Sequence, residues 1–191
     1  MPKGPMSARE LAATKRAVRV LAKLQPPIYR LFGGRIWASY QGYQVCLVTM
    51  TGAKTGRRRI IPLMYVPYGK EEEGAVLVAS LGGAPESPLW YHNLLANPEI
   101  EIQVGNRKRK LRARLVEGEE RVKAWDACVE HYPPYSDYQF RTDRVIPGFV
   151  CAPREGSGAG GAALRITGTR PGPLRAGPGH SGAGGRSRCE K

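Results

Sequence analysis

The sequence predicts a mainly β domain, a small β-barrel with peripheral helices, and three observations point to it. Six segments, 43–50, 60–67, 74–80, 99–104, 108–117 and 145–151, are rich in Val, Ile and Leu and bounded by Gly, Pro, Asn and charged turns. Helix-like stretches between them are short or peripheral, so the alternation expected of a parallel β–α sheet is missing. Charge marks the limits of the domain. The 191-residue chain has a formal net charge of +14, yet residues 38–153 hold fifteen Lys/Arg against thirteen acids. The excess sits in 1–37 and 154–191, which argues against nucleic acid as the partner of the domain itself. Three parts follow: 1–37, a basic amphipathic helix and linker; 38–153, the barrel; and 154–191, a tail rich in Gly, Arg and Pro.

Residues 8–24 read as an amphipathic helix. Arg9, Lys15, Arg16, Arg19 and Lys23 share one face, opposite Leu11, Val18, Leu21 and Leu24. Pro26-Pro27 is expected to end it. Such a helix either lies on an anionic membrane surface or docks its apolar side on the domain and leaves its cations in water. Ile28, Tyr29, Leu31, Phe32, Ile36 and Trp37 follow, around Gly33-Gly34.

The first strand leads into Thr51-Gly52-Ala53-Lys54-Thr55-Gly56-Arg57-Arg58-Arg59, a tight loop with four cations. Its glycines allow amides to converge and its guanidinium groups suit a phosphate or carboxylate, although a solvated hairpin tip has the same composition. The P-loop order is absent. Gly69 to Gly74 reads as an exposed hairpin tip, and 99–104 with 108–115 as a hairpin about Gly105-Asn106. Ser87-Pro88 is expected to cap a short helix to Ala96, stopped by Asn97-Pro98, and 118–131 reads as a second helix. Beyond Pro153, eleven of 38 residues are Gly, and disorder is expected there; an RNA-contacting Gly/Arg tail is the alternative.

Cys46, Cys128, Cys151 and Cys189 are widely spaced, without C-x-x-C or paired-His spacing, a pattern of free thiols and no metal in a cytosolic protein. No apolar run approaches the length of a membrane span, and no secretion signal is expected.

Three separated signatures can be taken together. They are Thr51 to Gly56 with Arg59 and Pro62; Ala79-Ser80-Leu81-Gly82-Gly83-Ala84-Pro85 with Pro88-Leu89-Trp90-Tyr91-His92-Asn93; and Tyr132-Pro133-Pro134-Tyr135-Ser136-Asp137-Tyr138 leading to Arg144. Their order and spacing resemble the deazaflavin-dependent nitroreductase family over roughly 38–153. The resemblance implies a split β-barrel related to flavin-mononucleotide-binding barrels, reduced coenzyme F420 as hydride donor, and quinones or nitro compounds as acceptors. It also implies a cytoplasmic enzyme whose N-terminal segment, residues 8–24, reaches an anionic membrane surface, peripheral on the inner face of the plasma membrane, or forms a substrate lid.

For the site, the resemblance implies cofactor contacts from Lys54, Thr55, Gly56, Arg59, Ile61, Pro62, Ser80, Gly82, Gly83, Ala84, Pro85, Trp90, Tyr91 and Asn93. Catalytic roles fall to Tyr132, Tyr135, Tyr138 and Ser80, whose hydroxyls would hold the oxyanion left by hydride transfer; aromatic packing is the competing role of the tyrosines. Leu81 stands where members often carry Lys, and Ile61 where Thr is common. Rival readings are the same barrel with FMN or haem, and a non-enzymatic module binding anionic lipid or nucleic acid.

Overall fold

The computed structural model describes residues 4–32 and 39–153. The expectations for Gly33 to Trp37 and for the tail from 154 fall outside these residues. Helix α1 (Ala8–Leu31) is followed by β1 (Ser39–Tyr40), β2 (Tyr43–Thr51), β3 (Arg58–Met64), β4 (Val66–Tyr68) and β5 (Gly74–Val78). Then come α2 (Leu89–Ala96), β6 (Glu99–Val104), β7 (Arg107–Leu115), α3 (Gly118–His131), α4 (Pro134–Phe140) and β8 (Gly148–Pro153).

All strand pairs are antiparallel, in the order β1-β2-β6-β7-β8-β5-β4, with β3 also on β2. The segment expected as one strand over 60–67 is two. Its first half pairs with β2 (Val48↔Ile61) and its second with β5 (Val66↔Val76), with Tyr65 between them. Because β3 and β4 lie at opposite edges and are joined through one residue, the sheet curls back on itself. This is the split β-barrel. Pro62 is tolerated inside β3 because that strand has a single partner, β2.

Alternation along the strands sorts side chains into two cores. Cys46, Val48, Leu77, Ile102, Leu111 and Phe149 fill the barrel, and Trp90 and Leu94 of α2 join them. Val76, Val78, Val116, Ala124, Cys128, Tyr132, Tyr135 and Ile146 form a second core, where α3 and α4 lie on the sheet's outer face.

Two helix expectations are corrected. First, α1 runs through Pro26-Pro27 to Leu31. The prolines remove two amide donors, but Gln25, Pro26 and Tyr29 are buried and hold the last turns in place. Tyr29 is fully buried; its hydroxyl accepts from the Gly105 amide at 2.7 Å and donates to Val45 O at 3.4 Å. Second, Ser87 does not cap α2, which begins at Leu89 without a side-chain cap. Ser87 Oγ instead accepts from Arg144 Nη1 at 3.4 Å. Helix α4 lies within the tyrosine-rich stretch, where no helix was expected; Pro at its start fits a first turn that needs no amide donor.

The first turns of α1 are also held. Ser7 and Glu10 form a reciprocal capping box, Glu10 and the Gly4 carbonyl meet Arg141, and Lys15 pairs with Glu86. Between these anchors Val18, Val20, Leu21 and Leu24 remain exposed, so docking of this apolar stripe on the domain is not what the described residues show.

Candidate active site

Strand direction decides which loops meet. In an antiparallel barrel the ends of β2, β5 and β7 and the starts of β3, β6 and β8 share one end. The basic loop after β2 and the glycine loop after β5 therefore open at the same end, beside α2.

The basic loop is held by its backbone. Gly56 N–H donates to Gly52 O and Gly52 N–H to Arg57 O, each at 2.9 Å, with Gly56 at φ +63°. Asn93 Oδ1 accepts from the Ala53 amide at 2.9 Å, so Asn93 anchors the loop from α2. Thr55 Oγ1 accepts from the Arg57 amide at 3.4 Å. Lys54, Thr55, Gly56 and Arg59 are exposed. Arg58 and Arg59 pair with Thr51 and Met50 and so point to opposite faces of β3. Arg58 is engaged with Glu101 at 3.3 Å, whereas Arg59 turns toward Gly52 and has no acidic partner among the described residues. Ile61 and Pro62 are half-buried strand residues, Ile61 against the barrel core.

The glycine loop holds three successive positive φ angles: Leu81 at +47°, Gly82 at +69° and Gly83 at +83°. Gly83 and Ala84 amides turn inward to Ser80 O at 3.0 and 3.3 Å. The amides of Ser80, Leu81 and Gly82 and the Ser80 hydroxyl have no acceptor among the described residues. Ala84 is buried and Pro85 exposed. Gly82 and Gly83 were expected to touch the cofactor. At Gly83 the side on which a Cβ would stand is filled by α4: a Cβ there would lie 2.6 Å from Tyr138 O. A Cβ on Gly82 would meet, among the described residues, only Met6, at 3.7 Å. On α2, Trp90 is core and Tyr91 is half-buried, its ring 5.5 Å from that of Phe149.

The tyrosines form a packed stack. Ring centroids of Tyr43 and Tyr132 are 4.9 Å apart and those of Tyr132 and Tyr135 5.0 Å, both edge to face. Tyr132 and Tyr135 are 2 % and 5 % exposed. Tyr132 hydroxyl donates to Gln41 Oε1 and is hydrogen-bonded to the Tyr138 hydroxyl, each at 3.3 Å. Burial first, then the bond to Tyr138, pushes the Tyr132 hydroxyl up; burial does the same to Tyr135. Both stay protonated at neutral pH and are donors, not bases. Tyr138 is the more accessible of the three, and its backbone touches the glycine loop. Sequence reasoning missed Gln41, Gln139, Arg141 and Arg144 as organisers of this end. Arg141 and Arg144 stand in the third signature, but their partners lie some 60 to 137 positions away.

Known proteins agree with this architecture. The family model of the F420H(2)-dependent quinone reductase matches residues 21–153. The F420H(2)-dependent quinone reductase Rv1261c of Mycobacterium tuberculosis is 38% identical over 138 residues, covering 70% of this chain and 91% of the relative. A solved F420-H2 dependent reductase (FDR-A) is 46% identical, with a TM-score of 0.51 over 56% of this chain and 92% of its own. A second, described as a domain-swapped dimer, is 36% identical, with a TM-score of 0.52 over 73% and 96%.

Proposed function

The chain belongs to the F420H(2)-dependent quinone reductase family, and on that premise we propose that it passes a hydride from reduced coenzyme F420 to a quinone, with nitroaromatic compounds as further acceptors. The observation that carries the reading is the pairing, at one barrel end, of two cations and a run of donors that have no partner among the described residues. Lys54 and Arg59 fit the acidic phosphodiester and oligoglutamate tail of the cofactor. The Ser80, Leu81 and Gly82 amides fit carbonyl or anionic oxygens of its ring end. When bound, the reduced deazaflavin supplies the hydride.

The chain's own residues orient the reactants and manage charge. Ser80, buried and with no hydroxyl partner among the described residues, donates a hydrogen bond to oxygen where negative charge develops on the acceptor. Tyr138 is the second donor, and its contact with Tyr132 keeps its hydroxyl directed. Tyr132 and Tyr135 form the wall behind it and exclude water. Thr55 and Gly56 shape the basic loop, Ala84 and Pro85 the glycine loop, and Ile61 and Pro62 the start of β3, while Trp90 and Tyr91 pack α2 on the barrel core and Asn93 ties it to the basic loop.

The exposed Val18, Leu21 and Leu24 stripe, flanked by Arg16, Arg19 and Lys23, supports peripheral attachment of this cytoplasmic enzyme to the anionic inner face of the plasma membrane. Among the described residues no helix is long and apolar enough to cross a membrane.

Fluorescence titration with F420 and with FMN, at near-physiological salt, tests the cofactor. Preference for F420, followed by quinone reduction with F420H2, is expected. Preference for FMN keeps the barrel and overturns the chemistry; binding of neither leaves the lipid- or nucleic-acid-binding module.

A further inference from the structure

We propose that Arg144 is a positioning residue that turns the Ser80 and Leu81 amides outward as hydrogen-bond donors to the cofactor. The inference rests on the cofactor reading above and concerns how the donor end of that site is built.

Arg144 lies between α4 and β8, and its guanidinium is wrapped by the glycine loop. Nη2 donates to Ala79 O at 2.9 Å and to Ser80 O at 3.3 Å. Nε donates to Ala84 O at 2.9 Å, and Nη1 to Ser87 Oγ at 3.4 Å. In a trans peptide the carbonyl and the following amide point in opposite directions. Holding Ala79 O therefore sends the Ser80 N–H away from the guanidinium, and holding Ser80 O sends the Leu81 N–H away. The third carbonyl, Ala84 O, precedes Pro85, which has no amide hydrogen. Thus the clamp orients two donors, and both lack an acceptor among the described residues. The inward-facing donors of the loop, Gly83 and Ala84, are already spent on Ser80 O.

The loop needs such a clamp because Leu81 is held at φ +47°, a region that a side chain disfavours. Arg144 is in turn held in place. Gln139 Nε2 donates to Arg144 O at 2.8 Å and to Thr142 O at 3.3 Å, while its Oε1 accepts from the Ile146 amide at 3.1 Å. A lysine cannot replace the fork: one ammonium on a flexible stem cannot meet three carbonyls and a hydroxyl spread around a loop.

The test is amide hydrogen exchange, resolved by residue, on wild-type protein and on Arg144→Lys, with and without F420, beside the titration. F420 should slow exchange at Ser80 and Leu81 in the wild type. Arg144→Lys should lose at least about tenfold in F420 affinity, the loss of roughly one charge-assisted hydrogen bond. It should also lose that protection, while amides of β5 and β8 exchange as before. A merely structural role would instead speed exchange throughout the barrel. Wild-type protein that binds F420 with Ser80 and Leu81 unprotected overturns the inference without any variant. Unchanged affinity and protection in a folded Arg144→Lys also overturns it. Failure of the wild type to bind F420 overturns the cofactor reading, and the donor role with it; the titration shows that outcome first.

Discussion

A Cβ placed on Gly83 would come within 2.6 Å of the Tyr138 carbonyl oxygen and 2.8 Å of Arg141 Cβ. The glycine loop and α4 thus meet backbone to backbone, and the position also holds φ +83°. Gly83→Ala has to move a helix and occupy a left-handed conformation at once. The expected loss is at least about 2 kcal/mol of unfolding free energy, from the conformational cost and the overlap together. Urea denaturation checks it. An unchanged midpoint would mean that α4 does not pack on the loop as described.

Arg58 and Arg59 are adjacent in sequence but serve different faces of β3. Replacing Lys54 and Arg59 together by Ala should weaken F420 binding by about 10- to 100-fold, as expected for two lost charge contacts to an anionic ligand. Because both side chains are exposed, thermal stability should hardly move. Arg58→Ala, which removes a partner of Glu101 instead, should bind F420 almost as the wild type does. Equal losses in both proteins would show that only the summed field matters.

Tyr132 connects Gln41 of the β1–β2 turn with Tyr138. Tyr132→Phe keeps the ring stack and removes only the hydroxyl. Turnover should fall by about tenfold, in the range that a directed proton donor contributes, with little change in F420 affinity. Stability should drop by about 1 kcal/mol from the lost bonds. If turnover is untouched while stability falls, the tyrosines serve packing alone.

Alkaline pH should unfold the protein through its buried thiols. Burial pushes Cys46 and Cys128 up to about 12 from an ordinary value of 9.0, and shifts Cys151 the same way. Above pH 9 the unfolded chain releases these protons while the folded chain keeps them. The stabilisation is therefore complete below the unfolded value and is lost as pH rises through the folded one. Each thiol should remove about 1 kcal/mol per pH unit within that window. Melting temperatures measured in reductant from pH 8 to 11 should fall, and Cys46→Ala should flatten part of the slope. A level profile in the wild type would contradict the burial of these groups.

Much of the architecture follows from local sequence. Alternation over 99–104 and 107–115, with Gly105-Asn106 between, is enough to specify the β6–β7 hairpin and which of its residues face the core. Asn97-Pro98 stops α2, and the glycines and cations of residues 52–59 form the tight, mostly exposed turn from β2 into β3. These features depend on neighbours a few residues apart, and side-chain periodicity reports them directly. The family signatures rest on the same stretches, so fold and family were legible together.

Tertiary structure decided the rest, because it joins residues that no local pattern relates. Pro26-Pro27 ought to end α1 by backbone chemistry, yet Tyr29 docks between Val45 and Gly105 and the helix continues. The run 60–67 reads as one strand, yet it divides at Tyr65 because its two halves complete opposite edges of a closing sheet. Ser87 has the chemistry of a helix cap and is claimed by Arg144 instead. Gly83 was expected only as a cofactor contact, and the folded chain alone shows that α4 packs against it. In each case a contact across tens of residues outweighs a local preference worth about 1 to 3 kcal/mol.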